Sequence, residues 1–238
     1  MKHFFSIAAV ALLLFAPAGR ASALEPFVAS YQVYRNGKPV GDATMQVVKS
    51  DAARWRIDLG IRGTRGLAGL TGINIEQSTL FDVAGNKYRP LSQSTVRRAL
   101  FSGKKNVGVY DWNVQTARWQ GDVKKTRRGA IALQDGDMSG LLINLAIIRD
   151  AQPGKTLHYR FVDDGRVRNH DYMVAAQQEN MVVDELGYNA MRVNRVQSGA
   201  EETILWVASG VPTPIRILQR ENGQDSLDLR LVEYKGVN

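Results

Sequence analysis

The strongest constraint on this chain is a two-residue rhythm. In Arg54-Trp55-Arg56-Ile57-Asp58-Leu59-Gly60-Ile61-Arg62, the apolar Trp55, Ile57, Leu59 and Ile61 alternate with Arg54, Arg56, Asp58 and Arg62. Successive side chains of a strand point to opposite faces, so this segment predicts a strand with one dry face and one wet face. Phe27 to Arg35, Asp42 to Val48, Leu157 to Val162, Thr203 to Ala208 and Ser226 to Tyr234 read the same way.

Turn residues separate these runs. Asn36-Gly37-Lys38-Pro39 predicts a tight hairpin between the first two strands. Ala84-Gly85-Asn86, Gln120-Gly121-Asp122, Asp163-Asp164-Gly165, Leu186-Gly187 and Glu221-Asn222-Gly223 mark further turns. Short strands joined by tight turns predict antiparallel pairing. No long helices alternate with the strands, which argues against a parallel α/β sheet.

One segment breaks the rhythm. Asp137 to Arg149 predicts a helix, with Asp137 or Ser139 as its cap and Gln152-Pro153-Gly154 as its stop. Leu141, Leu142, Leu145 and Ile148 share one face, and Ile143 and Ile147 lie on another. A helix apolar around most of its circumference must be buried on several sides. The predicted fold is therefore all-β and mainly antiparallel: a single curved sheet or open half-barrel with one buried apolar helix in its concave face.

The first residues predict export. Met1-Lys2-His3 is a positive start, Phe4 to Ala16 is almost wholly apolar, and Ala21-Ser22-Ala23 supplies small residues where a signal peptidase cuts. The apolar run is shorter than the roughly 20 residues of a membrane span. Residues 1–23 are therefore expected to be a signal peptide, and residues 24–238 a single β-rich domain in the periplasm. The chain has no cysteine, so disulfides, thiolate metal ligands and a lipidated cysteine after the leader are all excluded. Its formal charge of +8 is moderately basic. In the cell envelope the anions at hand are lipid headgroups and wall polymers, and nucleic acid is not an expected partner.

An ordered series of short motifs resembles a bacterial envelope family catalogued as domain of unknown function 3108. It runs from Tyr31-Gln32-Val33-Tyr34-Arg35-Asn36-Gly37 through Gly66-Leu67-Ala68-Gly69-Leu70, Glu76-Gln77-Ser78, Arg89-Pro90-Leu91 and Tyr110-Asp111-Trp112. It continues with Asp137-Met138-Ser139 and ends in Leu205-Trp206-Val207-Ala208 and Pro214-Ile215-Arg216. The resemblance implies a shape similar to the curved half-barrels of periplasmic lipid and lipoprotein carriers. It implies no catalytic residues.

Residue chemistry adds no enzyme signature. His158 and His170 lack the spacing of a metal cluster. Ser139 is explained by helix capping. The carboxylate pairs Asp135/Asp137, Asp163/Asp164 and Glu201/Glu202 sit at turns. No catalytic residue, metal site or cofactor is expected.

Two stretches carry more information. Arg97, Arg98, Lys104 and Lys105 flank Leu100 and Phe101, and Lys124, Lys125, Arg127 and Arg128 follow. Antiparallel strands would bring these clusters together, either as an anion-docking patch or as protection of a strand edge. Gly63 to Gly72 reads either as a mobile lip or as a glycine-bent corner.

The expected function is a non-enzymatic binding module that holds a lipid or other apolar envelope molecule. Trp55, Ile57, Leu67, Leu70, Leu142 and Leu145 are the expected cavity lining. The alternative is a structural or interaction protein that docks an anionic membrane surface or an envelope protein through its basic face.

Overall fold

The computed structural model of the chain describes residues 24–238 except Thr71, Phe101, Asp184 and Asn238. The expected leader and the side chains of Leu67 and Leu70 lie outside the described part. The first half is a meander of β1 (Phe27–Arg35), β2 (Lys38–Lys49), β3 (Arg54–Gly63), β4 (Asn74–Ala84), β5 (Lys87–Ala99), β6 (Ser102–Asp111) and β7 (Thr116–Gly121). A short helix α1 (Gly66–Leu70) joins β3 to β4. Two-residue strands β8 (Ile131–Ala132) and β9 (Asp137–Met138) lead to helix α2 (Gly140–Asp150). The second half holds β10 (Thr156–Asp163), β11 (Arg166–Val174), β12 (Glu179–Val183), β13 (Leu186–Val196), β14 (Glu201–Ala208), β15 (Arg216–Glu221) and β16 (Gln224–Gly236).

These strands form one sheet in the order β8-β7-β6-β5-β4-β3-β2-β1-β16-β15-β14-β13-β11-β10-β9, with β12 also paired to β13. Neighbours are antiparallel except β9 and β10. The pairing of β1 with β16 welds the two halves through the middle of the sheet.

The predicted alternation is realised. On β3, Ile57 and Leu59 are buried while Arg54 and Arg56 are exposed. The Asn36-Gly37 turn closes β1 on β2 in a two-residue loop, with Arg35 opposite Lys38. Asn36 and Gly37 both adopt positive φ, as the favoured hairpin turn requires.

Helix α2 lies against β10 on one side and β3, β4 and β5 on the other. The sheet therefore curls around it. Leu141, Leu142, Ile143, Leu145, Ala146 and Ile147 are all buried. Each large side chain among them contributes about 1.5–3 kcal/mol of transfer free energy.

Of the two candidate caps, Ser139 is the one used, and the helix begins at Gly140. Asp137 and Met138 are drawn into pairing with β10, because the buried Asp137 carboxylate binds Arg160 at 2.5 Å. Ser139 is the cap, its hydroxyl accepting from the Leu142 N–H at 3.4 Å. The glycine-rich stretch is a corner packed on the sheet: Thr64 and Arg65 donate backbone N–H groups to the Val40 carbonyl.

The backbone ladder does not close into a barrel. The two flanks meet through side chains instead. The Tyr110 hydroxyl on β6 lies 2.7 Å from the Val162 carbonyl on β10 and 2.6 Å from Gln93 Oε1 on β5. Gln93 in turn donates to Asp163. Beneath this seam, Tyr110, Ala117, Trp119, Val123, Leu133 and Val162 form a second, smaller core.

Candidate functional site

Strand register defines the concave wall. One row of facing residues runs Val47, Ile57, Thr79, Gln93 across β2 to β5. The next runs Met45, Leu59, Gln77, Thr95, Asn106, and the outermost Ala43, Ile61, Ile75, Arg97, Lys104. In each row the inward residues turn from apolar to polar on passing to β4 or β5. On the opposite flank, Leu205, Ile217 and Leu229 form one row, and Gln219 and Leu227 belong to the next.

Between these flanks and the first turn of α2 lies a cavity of about 260 Å³. Leu59, Ile61, Leu205, Ile217, Leu227 and Leu229 give it an apolar side. Gln77, Thr79, Gln93, Thr95, Asn144 and Asp163 give it a hydrogen-bonding side. Ser139 also lines it, but its hydroxyl is engaged with Thr79 Oγ1 at 2.9 Å and with the helix cap. A site of this kind can hold a small molecule with one apolar and one polar part.

Asp163 is the carboxyl group on this wall. Burial raises its pKa, and the hydrogen bonds from Gln93 and from the Asp164 backbone work against that rise. Burial also pushes the Tyr110 phenol well above its usual range, with the nearby Asp163 and Asp137 adding to the shift.

The other expected chemistry is dispersed. Asp137 binds Arg160, Asp135 binds Lys87 at 2.5 Å, and Asp164 binds Arg127 at 2.6 Å. Exposed His158 meets Asp171 at 2.8 Å. His170 is buried and stacked on Phe161, with ring centroids 4.5 Å apart. Burial, then Arg195 and Arg168, hold its pKa down to about 4. Among the described residues no cluster of three or more His, Asp or Glu side chains could hold a metal ion.

Of the expected lining, Ile57, Leu142 and Leu145 are packed core residues, and Trp55 is half-buried beside them. None of these four is on the cavity wall. The side chains of Leu67 and Leu70 lie outside the described part. Sequence reading missed Gln77, Gln93, Thr95 and Gln219. The available signal was a polar residue recurring at inward positions of otherwise ordinary strands.

The basic clusters adjoin, because β6 and β7 are antiparallel: the Lys105 N–H donates to the Asp122 carboxylate at 2.6 Å, and the Lys105 carbonyl accepts from the Asp122 N–H at 2.8 Å. Arg97 sits directly opposite Lys104. Three of the eight side chains are committed elsewhere. Arg98 pairs with Glu76, Arg127 with Asp164, and Arg128 bonds the Gly121 and Val123 carbonyls. Arg127 is diverted because its turn packs on the β10–β11 hairpin so closely that a Cβ on Gly165 would lie 2.0 Å from its carbonyl oxygen. Among the described residues, Arg97, Lys104, Lys105, Lys124 and Lys125 form no ion pair.

An open depression on the outer face, around Gly60, is larger, at about 710 Å³. Its polar groups largely satisfy one another: Gln46 bonds Asp58 at 2.8 Å, and Thr64 bonds Asp42 at 3.0 Å.

Among solved structures, the chain is similar to a β-barrel-like protein of domain of unknown function DUF1849 from Brucella abortus. The likeness has a TM-score of 0.57 at 10% identity and covers 91% of this chain and 100% of that one. At this identity it shows the fold alone. A DUF1089 family protein from Pseudomonas aeruginosa matches with a TM-score of 0.38 at 10% identity, covering 87% of this chain and 95% of that one. No curated protein matches the chain. No helix of the described residues is long and apolar enough to cross a membrane. The motif series noted in the sequence has its counterpart in a family model that matches residues 30–230: the chain belongs to the family described as protein of unknown function (DUF3108).

Proposed function

We propose that this chain is an exported, non-enzymatic binding protein of the bacterial periplasm, and that its half-barrel cavity holds a lipid or another envelope molecule of mixed polarity. The observation that carries this reading is the two-sided cavity at the first turn of α2. One side offers leucine and isoleucine, and the other offers amide, hydroxyl and carboxyl groups. A core built for stability alone would fill such a space. The leader read in residues 1–23 supports export. Native mass spectrometry of the protein purified from its own envelope tests the reading. A co-purifying small molecule is expected; protein that is free of any adduct under gentle conditions contradicts it.

A second reading rests on Arg97, Lys104, Lys105, Lys124 and Lys125, which form no ion pair among the described residues. That end of the sheet, where Arg97 and Lys104 share one face and Lys105 the other, would dock an anionic membrane surface, each near-surface charge contributing about 1 kcal/mol. Sedimentation with vesicles containing anionic lipid checks it, and Lys104→Glu combined with Lys124→Glu should abolish binding. Equal sedimentation of the variant and the parent would remove this reading.

A further inference from the structure

We propose, building on the binding reading above, that the ligand of the cavity is an anionic amphiphile whose charged group is held by Arg166, Arg168 and Arg195. Tyr172 lines the cavity and stands directly opposite Arg195 in the β11–β13 register. Residues opposite one another share a face, so Arg195 is on the inward face, beside the cavity wall and not part of it. Arg166, Arg168 and His170 alternate along β11 with Tyr172 and share its face. Arg166 stands opposite Asp163, which is itself on the cavity wall.

These arginines are under-compensated. Among the described residues neither Arg168 nor Arg195 has a carboxylate within salt-bridge distance. Arg195 reaches only His170, at 2.8 Å. Arg166 lies 3.5 Å from Asp164, a carboxylate already bound to Arg127 at 2.6 Å. The Nε atoms of Arg166 and Arg195 are buried without a hydrogen-bond partner. The Asp163 carboxylate accepts from Gln93 and from the Asp164 backbone, and it acts on Arg168 and Arg166 through its charge without a direct ion pair to either. The cations also act on one another: Arg166 is pushed below its usual pKa first by burial and then by Arg168 and Arg127.

A carboxylate or phosphate group answers each of these observations. A guanidinium recognises either in a fork of two parallel hydrogen bonds. The first turn of α2, which lines the same cavity, adds the partial positive charge of a helix N-terminus. The leucine and isoleucine side of the cavity then accommodates the apolar body.

The test is calorimetric titration of the full-length protein, expressed with its own leader, with octyl phosphate, octanoate, octanol and inorganic phosphate. The two anionic amphiphiles should bind about tenfold more tightly than octanol, the equivalent of one charge-assisted hydrogen bond. Arg195→Gln and Arg168→Gln should each remove most of that preference. Arg168 is exposed, so its variant remains informative if Arg195→Gln fails to fold. Octanol binding as tightly as octyl phosphate would overturn the anionic assignment and leave the cavity reading standing. Inorganic phosphate binding as tightly as octyl phosphate would assign the arginines to a free oxyanion and overturn the amphiphile. Binding of none of the octyl compounds would overturn the cavity reading itself.

Discussion

The hydroxyl of Tyr110 lies 2.7 Å from the carbonyl oxygen of Val162, joining β6 to β10, two strands that share no ladder. That contact, with Gln93 and Asp163 beside it, is where an open sheet takes on the shape of a barrel. Tyr110→Phe keeps the ring, which packs edge-on against Trp119 at 5.4 Å, and removes only the hydroxyl. The Val162 carbonyl and Gln93 then lose a buried partner, at about 1–3 kcal/mol. Urea unfolding should show that loss, and a midpoint equal to the parent's would mean that the seam does not depend on this bond.

His170 gives the fold a pH dependence of defined sign. Its folded pKa is depressed to about 4, mainly by burial and then by Arg195 and Arg168, against about 6.5 when unfolded. Its contribution is fully present above pH ~6.5 and is lost as pH falls toward ~4, because only the unfolded chain takes up the proton. The loss is on the order of 2 kcal/mol after solvent screening. Asp163, whose pKa burial raises, acts in the opposite sense above the ordinary carboxylate range. Comparison of His170→Gln with the parent isolates the histidine. The variant should lose less stability between pH 7 and pH 5, and parallel curves would rule the histidine out as the cause.

Two glycines should respond oppositely. A Cβ on Gly108 would lie 2.5 Å from Nε1 of the buried Trp119, on the neighbouring strand. Gly108→Val should therefore destabilise by about 1–3 kcal/mol through overpacking. A Cβ on Gly60 meets nothing within 4 Å. Gly60→Ala should be neutral or stabilising by about 0.5 kcal/mol, since it restricts the unfolded chain. Thermal unfolding of the two variants side by side checks the ranking.

Ser139 couples the helix to the sheet as well as capping it. Its hydroxyl meets the Leu142 N–H and Thr79 Oγ1 at once. Ser139→Ala should destabilise by about 1–2 kcal/mol, and Ser139→Thr should recover part of that. Loss in the alanine variant with no recovery by threonine would point to packing rather than hydrogen bonding.

Much of the fold was legible because burial imposes a period. Ile57 and Leu59 had to face inward if Arg56 and Asp58 faced water. Asn36-Gly37 had to turn, because few other pairs adopt two successive positive φ angles. The apolar circumference of α2 required a concave partner. The cavity wall was not legible for the same reason. Gln77, Thr95 and Gln219 occupy inward positions with polar side chains, and a reading that equates inward with apolar passes over them. The seam was hidden too: Gln93 and Asp163 are 70 residues apart, and nothing local announces their contact. The described members of the candidate lining, Trp55, Ile57, Leu142 and Leu145, are apolar and lie in or against the core, off the cavity wall.

The central claim is that the space between α2 and the inner rows of β3 to β5 is a ligand site. Thr95→Trp places an indole in that space from one wall. Native mass spectrometry of parent and variant, each purified from the same envelope, tests the claim most directly. One small-molecule adduct is expected on the parent and none on a folded Thr95→Trp protein. An identical adduct on both proteins, or none on the parent, would contradict it.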